Sequence, residues 1–292
     1  MASGDERRRA IVARRRRVRL QRRALAAAAV LALVVAVVAI AAGGGGKAHS
    51  GAAVDPRSVP GLLHPPRPAV VDRVLGYTDY VLAGSRRRRE VALTFDDGPS
   101  RFTPRLVKEL HRRHAAATFF PVGQPIDAYP HNLRLEHRRG FPIGDHTMTH
   151  PLLARLPRET QATELDEQAQ LLTRAGVPYP RLFRPPYGSF DADTLALLGE
   201  RRMLMVLWSV NPEDYYRPGT QAIVARVLAA VRPGSIVLMH DGGGDRTQTV
   251  AALPKIVRML RRRHYKLVTI PRLLRDDPPP RGQGPPPNLA GI

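Results

Sequence analysis

Between about residues 88 and 275 the chain alternates short apolar runs with longer amphipathic stretches. That alternation constrains the fold more than any other feature. The runs Val91–Phe95, Ala117–Pro121, Phe141–Gly144, Arg181–Phe183, Leu204–Trp208, Ser235–Met239 and Lys266–Thr269 have strand length. Helical periodicity lies between them, at 104–114, 126–139, 158–175, 191–201, 220–231 and 248–263. Local punctuation agrees, since Asp191 is placed to cap the fourth helix and Gly176 to end the third. Strands separated by helices pair in parallel, because the crossover returns the chain to the same end of the sheet. Seven such units suit an α/β fold closed as a distorted seven-stranded (β/α) barrel better than an open doubly wound sheet. No G-x-G-x-x-G follows the first strand, which weakens any nucleotide-binding form of the open sheet.

In a parallel barrel the strand C-termini share one face, and that face carries the active site. The residues that follow the strands are therefore the informative ones. Asp96-Asp97-Gly98 ends the first strand; Asp145-His146 and His150 follow the third; Arg184-Pro185-Pro186-Tyr187-Gly188 follows the fourth. Asp214 comes shortly after the fifth strand, and His240-Asp241 closes the sixth. Each group also has a plainer role. Asp96-Asp97-Gly98 suits a tight βα turn, and His240 suits a hydrogen-bonded structural histidine. His146 and His150 stand at i and i+4, neighbours if the segment is one helical turn. With a carboxylate from the same rim they make two His plus one Asp, a donor set that holds zinc and leaves a position open. Thr147 stands where H-E-x-x-H would carry its glutamate, so a general base must come from another segment. The histidines at 111, 114, 131, 137 and 264 lie among arginines and read as solvated faces.

The chain contains no cysteine, which removes disulfides, thiol nucleophiles and Cys-based metal sites from consideration. Its net charge of +21 is part local and part general. Residues 1–23 hold ten arginines, and the uncharged run Ala24–Ala42 follows directly. Nineteen residues span roughly 28 Å as a helix, close to the hydrocarbon thickness of a bilayer. Arginines before such a run keep that end cytoplasmic and send the rest of the chain outward. We therefore expect a basic cytoplasmic segment at 1–23 and a single-pass anchor at 24–42, not a nucleic-acid arm. Ala39-Ile40-Ala41 also offers a small-residue cleavage site, which would release a secreted form. Pro, Gly and Ala dominate 43–87, read as a stalk and lead-in, and a Pro/Gly-rich tail is expected at 276–292.

Taken together, Thr94–Gly98, His146–His150, Arg184–Gly188 and Ile236–His240 resemble the motifs of the polysaccharide deacetylase family (carbohydrate esterase family 4), in the family's order over about 88–275. The resemblance implies that Asp97, His146 and His150 bind Zn²⁺, with Co²⁺ or Mn²⁺ as possible substitutes. It implies that Asp96 is the general base held by Arg184, and that the Tyr187 N–H helps bind an oxyanion. His240 would be the general acid, oriented by Asp214. Pro186, Tyr215 and Val237 would shape the pocket, the last two where the family more often has Trp and Leu. The implied reaction removes N-acetyl groups from N-acetylhexosamines of a cell-envelope polysaccharide such as peptidoglycan, outside the cell membrane. O-deacetylation of xylan or another glycan, and a catalytically silent glycan-binding module, are the alternatives.

Overall fold

The computed structural model describes residues 70–282 and 284, so the segments expected at 1–23 and 24–42 lie outside the described residues. Seven strands follow in chain order: β1 (Tyr80–Val81), β2 (Glu90–Asp96), β3 (Thr118–Phe120), β4 (Leu182–Phe183), β5 (Leu204–Val206), β6 (Ile236–His240) and β7 (Lys266–Val268). All pair in parallel. β6 lies along one edge of β2, while β7 and β3 share the other, beside Glu90–Ala92 and Thr94–Asp96 respectively. β1, β5 and β4 form a second sheet. Parallel bridges Phe119↔Ile143 and Asp145↔Phe183 join the two sheets on one side, and Val210↔Val237 joins them on the other. The ring is thereby closed as a distorted (β/α) barrel.

Two strands differ from expectation. The run 141–144 forms bridges only, because it changes partner within three residues: the Gly144 N–H donates to Phe119 O and the Asp145 N–H to Leu182 O. β1 lies in the lead-in part of 43–87, where no strand was expected. Helix α1 (Val70–Leu75) lies there too, and both pack on the barrel. Asp72 of α1 accepts from Arg181, directly before β4, and from Arg202, two residues before β5, so α1 covers the face where strands begin. The expected tail also starts inside the fold, since buried Asp277 accepts from the Ser85 hydroxyl and Tyr77 donates to Pro279 O.

The remaining helices are α2 (Thr103–Arg112), α3 (Gly123–Ala128), α4 (Pro130–Arg138), α5 (Arg158–Arg174), α6 (Ala192–Glu200), α7 (Thr220–Ala230), α8 (Thr247–Arg262) and α9 (Ile270–Asp276). The single helix expected at 126–139 is two, because Pro130 cannot donate within a helix and restarts it at its first turn. α5 ends as the sequence suggests: Gly176 takes a φ of 87°, and the Val177 N–H reaches back to Leu172 O. Asp191 caps α6 by accepting from the Thr194 N–H at 2.8 Å.

Strand alternation sets the layers. Val91, Leu93 and Phe95 of β2 pack outward in a cluster with α2, α7 and α8, while Ala92 joins the inner cluster. Thr94 and Asp96 share the parity of Ala92 and so face the barrel interior, which is how a carboxylate comes to lie at the top of the core.

Phe95 is fully buried and its ring stacks 5.4 Å from that of Phe119. Phe95→Ala should cost about 3–5 kcal/mol through lost transfer energy and the cavity left behind. Urea unfolding would show a lower midpoint at unchanged slope, and a loss below about 1 kcal/mol would mean that the sheet–helix layer collapses onto the gap.

Candidate active site

A cleft of about 860 Å³ opens at the C-terminal ends of the strands. Asp96, Asp97, His146, His150, Tyr187, Tyr215 and His240 all line it, so seven residues singled out from separate sequence segments meet there.

Asp96 ends β2 with its side chain turned inward. Arg184 Nη1 donates to Asp96 Oδ1 at 2.7 Å and to Thr94 Oγ1 at 2.7 Å. Arg184 is completely buried, and its other donors reach Val206 O at 3.0 Å and Leu207 O at 3.3 Å. A buried guanidinium is tolerable only when its charge and its donors are answered in this way.

Beside Asp96, the side-chain donors of Asp97, His146 and His150 lie within 4.8 Å of one another. His146 and His150 do not form a helical turn. Thr147 and His150 take left-handed φ values of 66° and 63°, and the resulting loop sets the two rings 4.9 Å apart. Hydrogen bonds from the Thr147 N–H to Asp145 Oδ1 (2.9 Å) and from the Thr149 N–H to Glu164 Oε2 (2.7 Å) hold that loop. His146 Nδ1 sits 2.6 Å from the Arg184 carbonyl, which can only accept, so Nδ1 carries the proton. Nε2 is then left with its lone pair on the side of Asp97 Oδ1, 3.5 Å away. Asp97 Oδ1 is buried, lies 3.1 Å from His150 Nε2, and has no donor aligned on it. One carboxylate oxygen and two imidazoles that converge without satisfying each other fit a divalent cation.

His240 ends β6 on the other side of the cleft. Its Nδ1 lies 2.7 Å from Asp214 Oδ1, and its N–H donates to Asp214 Oδ2 at 3.0 Å. Thr249 of α8 also donates to Oδ2 at 2.7 Å. Burial alone would lower the imidazole pKa, but the charge of Asp214 and its hydrogen bond, with further pull from Asp97 and Asp96, push it up to about 9. Asp214 rides on a single 3₁₀ turn (Asp214–Tyr216) flanked by left-handed Glu213 and Arg217. Tyr187 also has a left-handed φ of 59°; its ring is 57% exposed and its centroid lies 4.5 Å from that of His150.

Two expected pocket residues are displaced by one position. Val237 has the outward parity of β6 and packs among the helices, so Leu238 lines the cleft instead. Pro186 begins the turn Pro186–Gly188 beneath the surface, and Pro185 contributes the wall. Tyr215 does line the cleft, its ring edge-on to His240 at 5.4 Å. Asp145 and Asp241, which the sequence counts among the rim residues, are fully buried beneath it, where burial raises their carboxyls to about 8 and about 7. The Gly242–Gly244 turn was not read as functional. A β-carbon at Gly243 would sit 2.3 Å from the Asp97 carboxylate, and Arg246 fixes the turn by donating to Gly242 O and Gly243 O. Three glycines directly after His240-Asp241 are the signal that could have revealed it.

The polysaccharide deacetylase family model matches residues 83–205. The chain is 38% identical over 198 residues to a chitooligosaccharide deacetylase from a Bradyrhizobium strain, a match that covers 63% of this chain and 90% of the relative. It is 37% identical over 188 residues to a peptidoglycan-N-acetylglucosamine deacetylase from Bacillus cereus, covering 63% and 88%. Among solved structures, a peptidoglycan N-acetylglucosamine deacetylase in complex with a naphthalenyl N-oxidanyl-benzamide superposes with a TM-score of 0.66 at 32% identity, over 71% of this chain and 98% of that one. A match of this identity over nearly the whole length of its relatives, on the same barrel and with the motif residues gathered in one cleft, makes the chain a member of the polysaccharide deacetylase family.

Proposed function

We propose that this enzyme hydrolyses the acetamide of N-acetylhexosamine residues in a cell-envelope glycan, peptidoglycan in the first instance, releasing acetate and a free amine. The observation that carries this reading is the opposed pair Asp96 and His240, each backed by a counter-charge, with the donor set Asp97, His146 and His150 beside them. Two relatives that act on peptidoglycan N-acetylglucosamine support the substrate class. The apolar run 24–42 would anchor the chain in the membrane with the barrel, residues 88–275 and their lead-in, on the outer side.

Zn²⁺ is the cation that two His and one Asp suit best, and when bound it supplies Lewis acidity for water and carbonyl alike. The protein's own groups do the rest. Asp96 accepts a proton from the attacking water, and Arg184 holds its carboxylate oriented. The Tyr187 N–H, bonded to no backbone carbonyl among the described residues, is free to donate to the oxygen that develops charge. His240, held protonated by Asp214, donates to the departing nitrogen. An amine is a poor leaving group, so an acid that stays charged to about pH 9 favours amide over ester cleavage. Leu238, Pro185, Trp208 and Tyr215 supply apolar surface for the acetyl methyl.

Three measurements test the assignment. Elemental analysis of the purified protein should find about one divalent metal per chain, lost in His146→Ala and in His150→Ala; equal occupancy in both variants would remove these ligands. Asp96→Asn should keep the metal yet lower kcat by roughly 10²–10⁴, and full activity would sink the mechanism. In Asp214→Asn the charge that opposes burial is gone, so the His240 pKa drops and its acid form is lost at lower pH. The alkaline limb of kcat/KM should therefore move down in pH. The variant should also lose more on amides than on activated esters, whose leaving groups need little protonation. An alkaline limb that stays in place would exclude His240 as the acid.

A further inference from the structure

The face where the strands begin carries a charge pattern that the chemistry does not use. Basic residues stand within four positions of the start of five strands: Arg86–Arg89 before β2, Arg181 before β4, Arg202 before β5, Arg232 before β6 and Arg263 before β7. Parallel topology collects them at one end of the barrel. Arg181 and Arg202 are answered by Asp72, whereas Arg86, Arg87 and Arg88 are exposed and form no ion pair among the described residues. Arg89 and Arg263 are exposed too; their guanidinium groups bond backbone carbonyls, that of Arg89 also stacking over the Tyr265 ring, and neither meets a carboxylate among the described residues. Glu90, at the start of β2, is buried, and Asp276 is already paired with Arg272 and Arg275. Asp277 lies beside the run, accepting from the Ser85 hydroxyl and the Arg87 N–H, and Asp79 precedes β1, so these acids offset only part of the arginine charge and a net positive excess faces solvent.

Two further facts give this face a direction. β2 is seven residues long, so the arginine run lies roughly 20 Å from Asp96 and Asp97 along the barrel axis, on the side away from the cleft. α1, with which the described chain begins, lies on this same face through its bonds to Arg181 and Arg202. We propose that the basic N-terminal face of the barrel docks on an anionic phospholipid surface, holding the cleft outward. The partner is a lipid surface and not a soluble anionic polymer because a polymer gripped here would be held away from the reacting groups. This inference rests on the reading of 24–42 as a membrane anchor. The attraction follows from charge near an anionic surface, about fivefold in partition per basic residue, and it vanishes beyond a Debye length.

The test uses the full chain in vesicles of phosphatidylcholine alone or with roughly one-third phosphatidylglycerol, compared with the variant Arg86→Gln/Arg87→Gln/Arg88→Gln. Those three side chains form no hydrogen bond or ion pair among the described residues and lie far from the cleft, so activity on a soluble oligosaccharide should be unchanged. Amide hydrogen exchange over residues 84–90 should slow at least fivefold on the anionic vesicles, and the effect should disappear in 1 M salt and in the triple variant. The arginines of residues 1–23 are present in both forms, so the difference reports the barrel face alone. Equal exchange on the two vesicle types would overturn the proposal. So would protection by soluble poly(glycerol phosphate) over neutral vesicles, which would reassign the face to a polymer. Failure of the chain to float with neutral vesicles would instead remove the anchor, and the lipid-charge comparison would still decide the docking face.

Discussion

The ion pair between Arg184 and Asp96 joins the parts of the barrel that the chain builds separately. Arg184 follows β4, bonds the carbonyls of Val206 and Leu207 at the end of β5, and crosses the interior to Thr94 and Asp96 of β2. It thus ties the three-stranded sheet to the four-stranded one at the level where isolated bridges alone complete the ring. Five donors in a rigid plane make this possible; a lysine has three donors at one point and could not reach both strands. Removing either partner would leave an unanswered, almost completely buried charge, a loss of about 3–5 kcal/mol. The same pair orients the proposed base, so fold and chemistry rest on one contact. Its backbone carbonyl extends the arrangement by fixing the His146 tautomer.

Around that pair the backbone is strained where function is proposed. Asp97, Thr147, His150 and Tyr187 all take left-handed φ values between 59° and 68°. Conformations of this kind cost about 1–3 kcal/mol each in a residue with a β-carbon, and persist only when neighbours over-determine them. The neighbours are visible. The Gly242–Gly244 turn packs directly on Asp97, with Arg246 holding the turn. The Thr147–His150 loop is bonded to Asp145 and Glu164. Asp145 accepts there from deep burial, which keeps it a hydrogen-bonding support beneath the ligands and not a charge in the cleft.

Much of this could be read in the sequence, and the misses have a common cause. Apolar runs and punctuation located the barrel because strands buried on both faces show in composition, and motif residues showed because they stand at strand ends. Single-residue orientation was lost where parity was not applied. His240 faces the cleft, so Leu238 must share its face and Val237 must point away. Irregular backbone was the second gap. The two-residue β1, the partner switch at Gly144 and the left-handed turn between His146 and His150 depend on long-range pairing, which leaves no periodicity behind. Arg246 was hidden for the same reason: its partners are carbonyls, and every residue offers one.

A parallel barrel also sorts charge along its axis. Segments that precede strands here carry Arg86–Arg89, Arg181, Arg202, Arg232 and Arg263, whereas those that follow mix Asp96, Asp97, Asp214, His146, His150 and His240 with Arg101, Arg184, Arg217 and Arg246. The end where strands begin is therefore the more basic of the two, and buried Arg184 bridges the core beneath the cleft. Within the cleft the proposed base and acid are each neutralised from behind, by Arg184 and Asp214, so neither depends on charges at the surface. At the opposite end Arg181 and Arg202 are paired with Asp72, while Arg86, Arg87 and Arg88 form no ion pair among the described residues, so a net positive field reaches beyond the protein. On the proposed docking, a domain built this way rests on a negative surface with its basic end down. That orientation turns the cleft toward whatever lies outside, which is where a glycan-modifying enzyme must find its substrate.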